Sequence, residues 1–242
     1  MPKRSVAYQQ KIARIGDRKT QFPLTEAIAK LKEMVAVKAE RSYSKGARSR
    51  KGFDQSIELV MHLGIDPRQA DQMLRGSISL PKGIGRTKRV IVFCPDEMVE
   101  QAQAAGAVEA GNDDLVKKVS DGWMDFDVAV AHPSVMGKVG KLGRVLGPQG
   151  KMPSPKSGTV TPDIAKAVTE YAAGKIEYRN DKGGNIHAVV GKASFSDEDL
   201  QTNIEAFIEH IRRVKPSGVR GQFIRRVCLS GTMTPSVTVD VG

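Results

Sequence analysis

The chain has 242 residues, with 38 Lys and Arg against 27 Asp and Glu, a net charge of +11, and is 40% hydrophobic but only 5% aromatic. That composition supports a buried core, excludes global disorder, and contains no run near the ~18 consecutive apolar residues of a membrane span. Two distant cysteines, Cys94 and Cys228, and an N-terminus without an apolar signal run point to a cytoplasmic protein whose basic charge suits a polyanionic partner.

Residues 1–53 hold 14 basic and four acidic residues, so nearly all of the excess charge sits there. Within them, 5–18 and 24–37 have helical spacing, with Leu24, Ile28, Leu31 and Met34 on one stripe. The segment 38–51, KAERSYSKGARSRK, is short of apolar residues and reads as a loop. From Asp54 to Leu63, Ile57, Leu59, Met61 and Leu63 alternate with Ser56, Glu58, Val60 and His62. This is a strand with one core face and one polar face.

Two glycine-bearing joints follow, Pro81-Lys82-Gly83-Ile84-Gly85 and Gly174. Between them the net charge is zero, although 90–137 has two basic and nine acidic residues and 138–158 has five basic and none acidic. Strands at Arg89–Cys94 and Asp127–Ala131 interleave with helices at Asp96–Ala105, Asn112–Asp121 and a helix opened by Thr161-Pro162-Asp163. Such alternation predicts a small parallel sheet. After Gly174, strands are expected at KIEYR, Ile186–Val190, Gln222–Leu229 and, half-exposed, at 236–241. A helix starts at Ser196 with Leu200, Ile204, Phe207, Ile208 and Ile211 on its apolar stripe. The fold class expected is α/β with two domains. One is an α+β domain split between the termini (1–82 and 175–242), with helices on one sheet face. The other is a small inserted α/β (Rossmann-like) domain at 83–174.

Catalytic chemistry finds little support. His62, His132, His187 and His210 show no ligand spacing, and neither cysteine has a partner at metal-binding distance in sequence. The run Gly137-Lys138-Val139-Gly140-Lys141-Leu142-Gly143 matches neither phosphate-loop fingerprint, which weakens the alternative of a nucleotide-binding α/β enzyme. No cofactor or metal is expected. Cys94 and Trp123–Phe126 read as core. Arg179, Lys182, Lys192, Arg225 and Arg226 are candidate phosphate contacts as a set.

Several motifs, taken together, carry a family resemblance. They are LGIDPR at 63–68 with Arg75-Gly76, DGWMDFD at 121–127, LGR at 142–144, LGP at 146–148, RNDK at 179–182, Ile186-His187, VGK at 190–192, Ser194-Phe195, and Thr232-Met233 with Pro235-Ser236. The chain resembles the bacterial form of large-subunit ribosomal protein one, the L-one family of the mobile ribosomal stalk, from about residue 20 to 240.

The resemblance implies two domains joined by a hinge at Gly83, Gly85 and Gly174, and no enzymatic activity. It implies binding to large-subunit rRNA, a role in releasing tRNA from the exit site, and repression of the protein's own mRNA. It places RNA-facing residues at Phe53, Ser56 and Glu58, at Asp181, Lys182 and His187, and at Thr232, Met233 and Ser236. By the period-two rule Ser56 and Glu58 do fall on the polar strand face, and a Glu there suits RNA amino or 2′-hydroxyl groups rather than phosphates. Two features depart from the pattern that the resemblance implies. Thr234 stands where relatives usually carry Gly, so Thr234→Gly is expected to maintain or tighten RNA affinity. The loop around Ser42–Arg50 reads as an insertion whose Arg41, Lys45, Arg48, Arg50 and Lys51 add phosphate contacts or stay solvated.

Overall fold

The computed structural model describes residues 6–16, 20–36 and 53–240. The basic loop 38–51 lies outside the described residues. In chain order come α1 (Val6–Ile15), β1 (Gln21–Phe22), α2 (Leu24–Ala36), β2 (Ser56–Leu63) and β3 (Arg75–Ile78). Then follow β4 (Val90–Phe93), α3 (Val99–Ala104), β5 (Glu109–Gly111), α4 (Asp113–Ser120), β6 (Val128–Ala131), α5 (Met136–Val139), α6 (Gly143–Leu146), α7 (Ile164–Ala172) and β7 (Ile176–Arg179). The chain ends with β8 (Asn185–Lys192), α8 (Asp197–Arg213), β9 (Ile224–Gly231) and β10 (Val237–Val239).

Packing divides the chain into two compact units, Met1–Leu74 with Arg179–Gly242, and Arg75–Tyr178. The division at 74/75 and 178/179 differs from the 82/83 and 174/175 expected from the glycines. The cause is β3, which pairs with β7 and so joins the second unit. Gly83, Gly85 and Gly174 all have positive φ (63°, 70° and 106°) but stand inside the second unit. A Cβ would meet Ile84 at 3.0 Å on Gly174 and the Ala173 carbonyl oxygen at 3.0 Å on Gly83, so both of these turns are closely packed.

The first unit holds a five-stranded sheet in the order β1-β10-β9-β2-β8. The β1–β10 pair is parallel and the others are antiparallel. Burial along β2 alternates strictly, which puts Ile57, Leu59, Met61 and Leu63 in the core. Ile186, Val190, Val227, Leu229, Val237 and Val239 are buried with them. The two helices α2 and α8 pack on the sheet, burying the stripes that their spacing announced. Ser196 caps α8, its Oγ accepting from the Asp199 N–H (3.1 Å) and donating to Asp199 Oδ2 (2.7 Å). Inside α8, the fully buried Asn203 donates to the Val190 carbonyl (2.9 Å) and ties helix to sheet. One expectation holds only in part. In the alternating 236–241 segment Ser236 and Asp240 are exposed as expected, but Val237, Thr238 and Val239 are all buried, in a strand flanked by β1 and β9; Val241 lies outside the described residues.

Besides the β3–β7 pair, the second unit holds a three-stranded parallel sheet, β5-β4-β6. Every residue of β4 is buried, as in a strand covered on both faces. Ile91 and Phe93 pack with Leu115, Val119, Val139 and Leu146 on one side, and Val90 and Val92 with Ala102, Ile164, Val168 and Tyr171 on the other. Phe126 and Cys94 are core, as read from sequence. Within the Thr161-Pro162-Asp163 start of α7 the N-cap is Asp163, which accepts from the Lys166 N–H, while the Thr161 hydroxyl two residues earlier accepts from the Asp163 N–H.

Candidate nucleic-acid interface

The sheet of the first unit turns one face to α2 and α8, and along β2, β8 and β9 the described residues leave its other face partly exposed. The open face follows from register. Glu58 faces Val189 and Ser230, Val60 faces His187 and Cys228, and His62 faces Asn185 and Arg226. Ser56 faces Lys192, whose Nζ donates to the Ser56 hydroxyl (2.9 Å). Ser56, Glu58, Val60 and His62 therefore form the spine of a polar stripe about 20 Å long at ~3.3 Å per residue.

At one end of the stripe stands the turn after β9. The Thr232 N–H donates to the Ser56 carbonyl (3.1 Å), and the Thr232 hydroxyl accepts from the Ser56 N–H (3.1 Å). Met233 is gripped by its backbone on both sides. Gln55 Oε1 accepts its N–H (3.0 Å), and Lys11 Nζ donates to its carbonyl (2.9 Å). Its side chain remains 63% exposed. Lys11 is itself only 7% exposed, and burial pushes its ammonium below the ordinary lysine pKa. The result is a rigid turn that presents a flexible thioether to solvent. Phe53, 60% exposed, precedes β2 at the same end, and Ser236 is exposed just before β10.

Thr234 closes this turn. Its hydroxyl accepts the Gly231 N–H at 2.7 Å, and its own N–H donates to the Gly231 carbonyl (3.1 Å). No non-glycine described residue has positive φ. Threonine fits this turn without positive φ, and its hydroxyl accepts a bond for which glycine has no atom.

At the other end lies the 181–185 loop. Asp181 Oδ1 accepts from the N–H groups of Gly183 (2.8 Å) and Asn185 (2.7 Å). The Asn185 side-chain amide, its backbone N–H, the Gly183 N–H and His187 together hold the Asp181 carboxyl down to about 2. The His187 ring lies 3.6 Å from Asp181 Oδ2. Lys182 and His187 are exposed.

The structure thus gathers Ser56, Thr232 and Met233 at one end, with Phe53 and Ser236 on the flanking chain, and Asp181, Lys182 and His187 at the other. Glu58 lies between them. Lys11, Gln55 and Asn185 went unnoticed in sequence. Lys11 carries no local signal, since its carbonyl partner is 222 residues away. His62 did carry one, because it falls on the same strand face as Ser56 and Glu58. The basic run 138–156 is reduced as a surface. Lys138 is exposed but paired with Asp113 (2.8 Å), and Lys151 donates to the Met124 and Phe126 carbonyls, which leaves Lys141, Arg144 and Lys156 as the exposed cations without an ion pair among the described residues. Among the described residues no group of three or more His, Cys, Asp or Glu is arranged to hold a metal ion, and no helix is long and apolar enough to cross a membrane.

Comparison with known proteins decides the family. The profile of the Ribosomal protein L1p/L10e family matches residues 41–235. The chain belongs to that family. It is 46% identical over 238 residues to the large ribosomal subunit protein uL1 of Thermobifida fusca, covering 98% of this chain and 95% of the relative. It is 52% identical over 192 residues to the uL1 of a Nocardioides species, covering 79% and 80%. With the uL1 of Chlorobium phaeobacteroides it shares 46% over 232 residues, covering 96% and 95%. This L1p/L10e chain is a structural ribosomal protein and not an enzyme, which removes the nucleotide-binding alternative.

Proposed function

We propose that this protein is a component of the large ribosomal subunit that anchors on rRNA through the open sheet face of its first unit. The observation that carries the reading is the Ser56–His62 stripe. It joins a clamped turn with an exposed methionine to a loop bearing Asp181, Lys182 and His187. Fixed acceptors and hydroxyls on such a stripe suit the 2′-hydroxyls and base edges of structured RNA, while Lys182, Lys192, Arg225 and Arg226 supply phosphate attraction. The names of the relatives support membership of the large subunit. The resemblance adds a place in the mobile stalk, release of tRNA from the exit site, repression of the protein's own mRNA and a cytoplasmic setting. In the second unit, Lys141, Arg144 and Lys156 are the RNA-facing candidates.

Filter binding of the full chain to the stalk region of the rRNA tests the reading. Met233→Ala and Glu58→Gln should each weaken binding about tenfold, the scale of one well-placed contact. Wild-type affinity in both would refute the assignment of this face.

A further inference from the structure

The tautomer of His62 is dictated by its neighbours. His62 Nδ1 lies 2.8 Å from Asn185 Oδ1. The other end of that amide, Nδ2, lies 3.0 and 3.3 Å from the two oxygens of Asp181. An ionised carboxylate only accepts, so the amide nitrogen must face Asp181 and the amide oxygen must face the imidazole. The proton of the neutral His62 ring is therefore on Nδ1, and Nε2 carries a lone pair. No described residue takes Nε2 as a partner. His62 is half-buried on the open face, between Asn185 on β8 and the exposed Arg226 on β9.

A fixed acceptor on the strand face directly opposite a cationic residue selects its ligand. A phosphate oxygen has no proton to offer Nε2 but matches the Arg226 guanidinium. A ribose 2′-hydroxyl is a donor, and it is the group that separates RNA from DNA. We propose that His62 and Arg226 form a ribonucleotide subsite, with Arg226 taking a phosphate and His62 Nε2 accepting the proton of a 2′-hydroxyl. Asn185 and Asp181 are positioning residues, acting through the tautomer they impose. This deepens the rRNA-binding reading and rests on it.

The test uses the full chain, the stalk rRNA fragment, and versions of that fragment carrying one 2′-deoxy substitution at a time. Wild-type protein should lose affinity about five- to tenfold at one substituted position, the scale of one hydrogen bond. His62→Phe should bind the unsubstituted RNA about five- to tenfold more weakly and show no further loss at that position. His62→Gln, whose side chain keeps a carbonyl acceptor, should recover part of the penalty. Arg226→Gln should lower affinity for all the RNAs alike and flatten the salt dependence. A His62→Phe variant that weakens binding while keeping the full deoxy penalty overturns the proposal. So does one that binds like wild type while Met233→Ala and Glu58→Gln still weaken binding, and in that case the sheet-face reading survives. If none of the three substitutions weakens binding, both fall.

Discussion

Thr234→Gly removes one acceptor from a turn that has few ways to compensate. The Gly231 N–H would lose its 2.7 Å partner within a partly buried turn whose neighbour Gly231 is buried. Such a bond contributes about 0.5–1.5 kcal/mol net. Glycine adds about 0.4–1 kcal/mol of backbone freedom to the unfolded chain. Together they predict a loss of about 1–2.5 kcal/mol from the first unit. At a urea slope of about 2 kcal/mol/M, the unfolding midpoint should fall by roughly 0.5–1.2 M. Trp123, the single tryptophan, lies in the second unit, so its fluorescence provides an internal control. Far-UV circular dichroism should show the earlier transition while the Trp123 transition stays in place. Thr234→Ser should remain within about 0.5 kcal/mol of wild type, since it keeps the acceptor. RNA affinity should fall with Thr234→Gly, because the Met233 turn must then be ordered on binding. A glycine variant as stable as wild type, or binding RNA more tightly, would refute this reasoning and restore the expectation drawn from sequence.

Asp181→Asn should cost stability at neutral pH. The folded carboxyl sits at about 2, below the roughly 3.9 of an unfolded Asp, so its contribution is complete above pH ~4 and is lost as pH falls through about 2. Because the side chain is 43% exposed, solvent screening holds the effect to about 1 kcal/mol or less, and the wild-type and variant urea curves should converge by pH 2. Tyr171, buried and donating to the Ser157 carbonyl at 2.6 Å, has its phenol pushed up to about 12, first by burial. Its contribution persists below pH ~10 and is lost as pH rises toward 12. Tyr171→Phe should therefore destabilise the second unit by about 1–2 kcal/mol at pH 7 and delete the most alkaline phase of the ultraviolet tyrosine titration. An unchanged titration would contradict the burial argument.

Much of the fold was legible because its signals are periodic. The β2 alternation and the α2 and α8 stripes each reflect one buried face, and periodicity reports faces. Short elements escaped for the same reason: β1 has two residues and β5 reads Glu-Ala-Gly, too brief and too poor in β-formers to show a period. The joint between units was displaced because glycine marks tight turns whether or not a hinge lies there, and at Gly83 and Gly174 the turns are packed. In the candidate site, strand residues such as Ser56, Glu58 and His62 could be placed by parity. The clamp on Met233 could not, because Lys11 and Gln55 reach it only through tertiary folding. At Thr234 the resemblance registers the absent glycine and not the hydroxyl bond to Gly231, which only the folded turn displays.

The net charge illustrates the same point. Most of the +11 comes from residues 1–53, whereas the stripe itself is built from hydroxyls, imidazoles, amides and carboxylates around Val60 and Val189, with cations at its margins. Charge would bring RNA to the first unit, and the stripe would decide which RNA stays. The second unit, Arg75–Tyr178, carries a net charge of only +2, so it should add little to anchoring.

That division is tested most directly by removing the second unit. Leu74 and Asn180 exchange a backbone bond (Asn180 N–H to the Leu74 carbonyl, 3.0 Å) and an amide bond (Leu74 N–H to Asn180 Oδ1, 2.8 Å), so the cut ends already lie side by side. A chain in which a short glycine linker joins Leu74 to Arg179 should fold and bind the stalk rRNA within a fewfold of the full chain. A folded chain of this kind that binds the stalk rRNA no more tightly than random RNA would contradict the account.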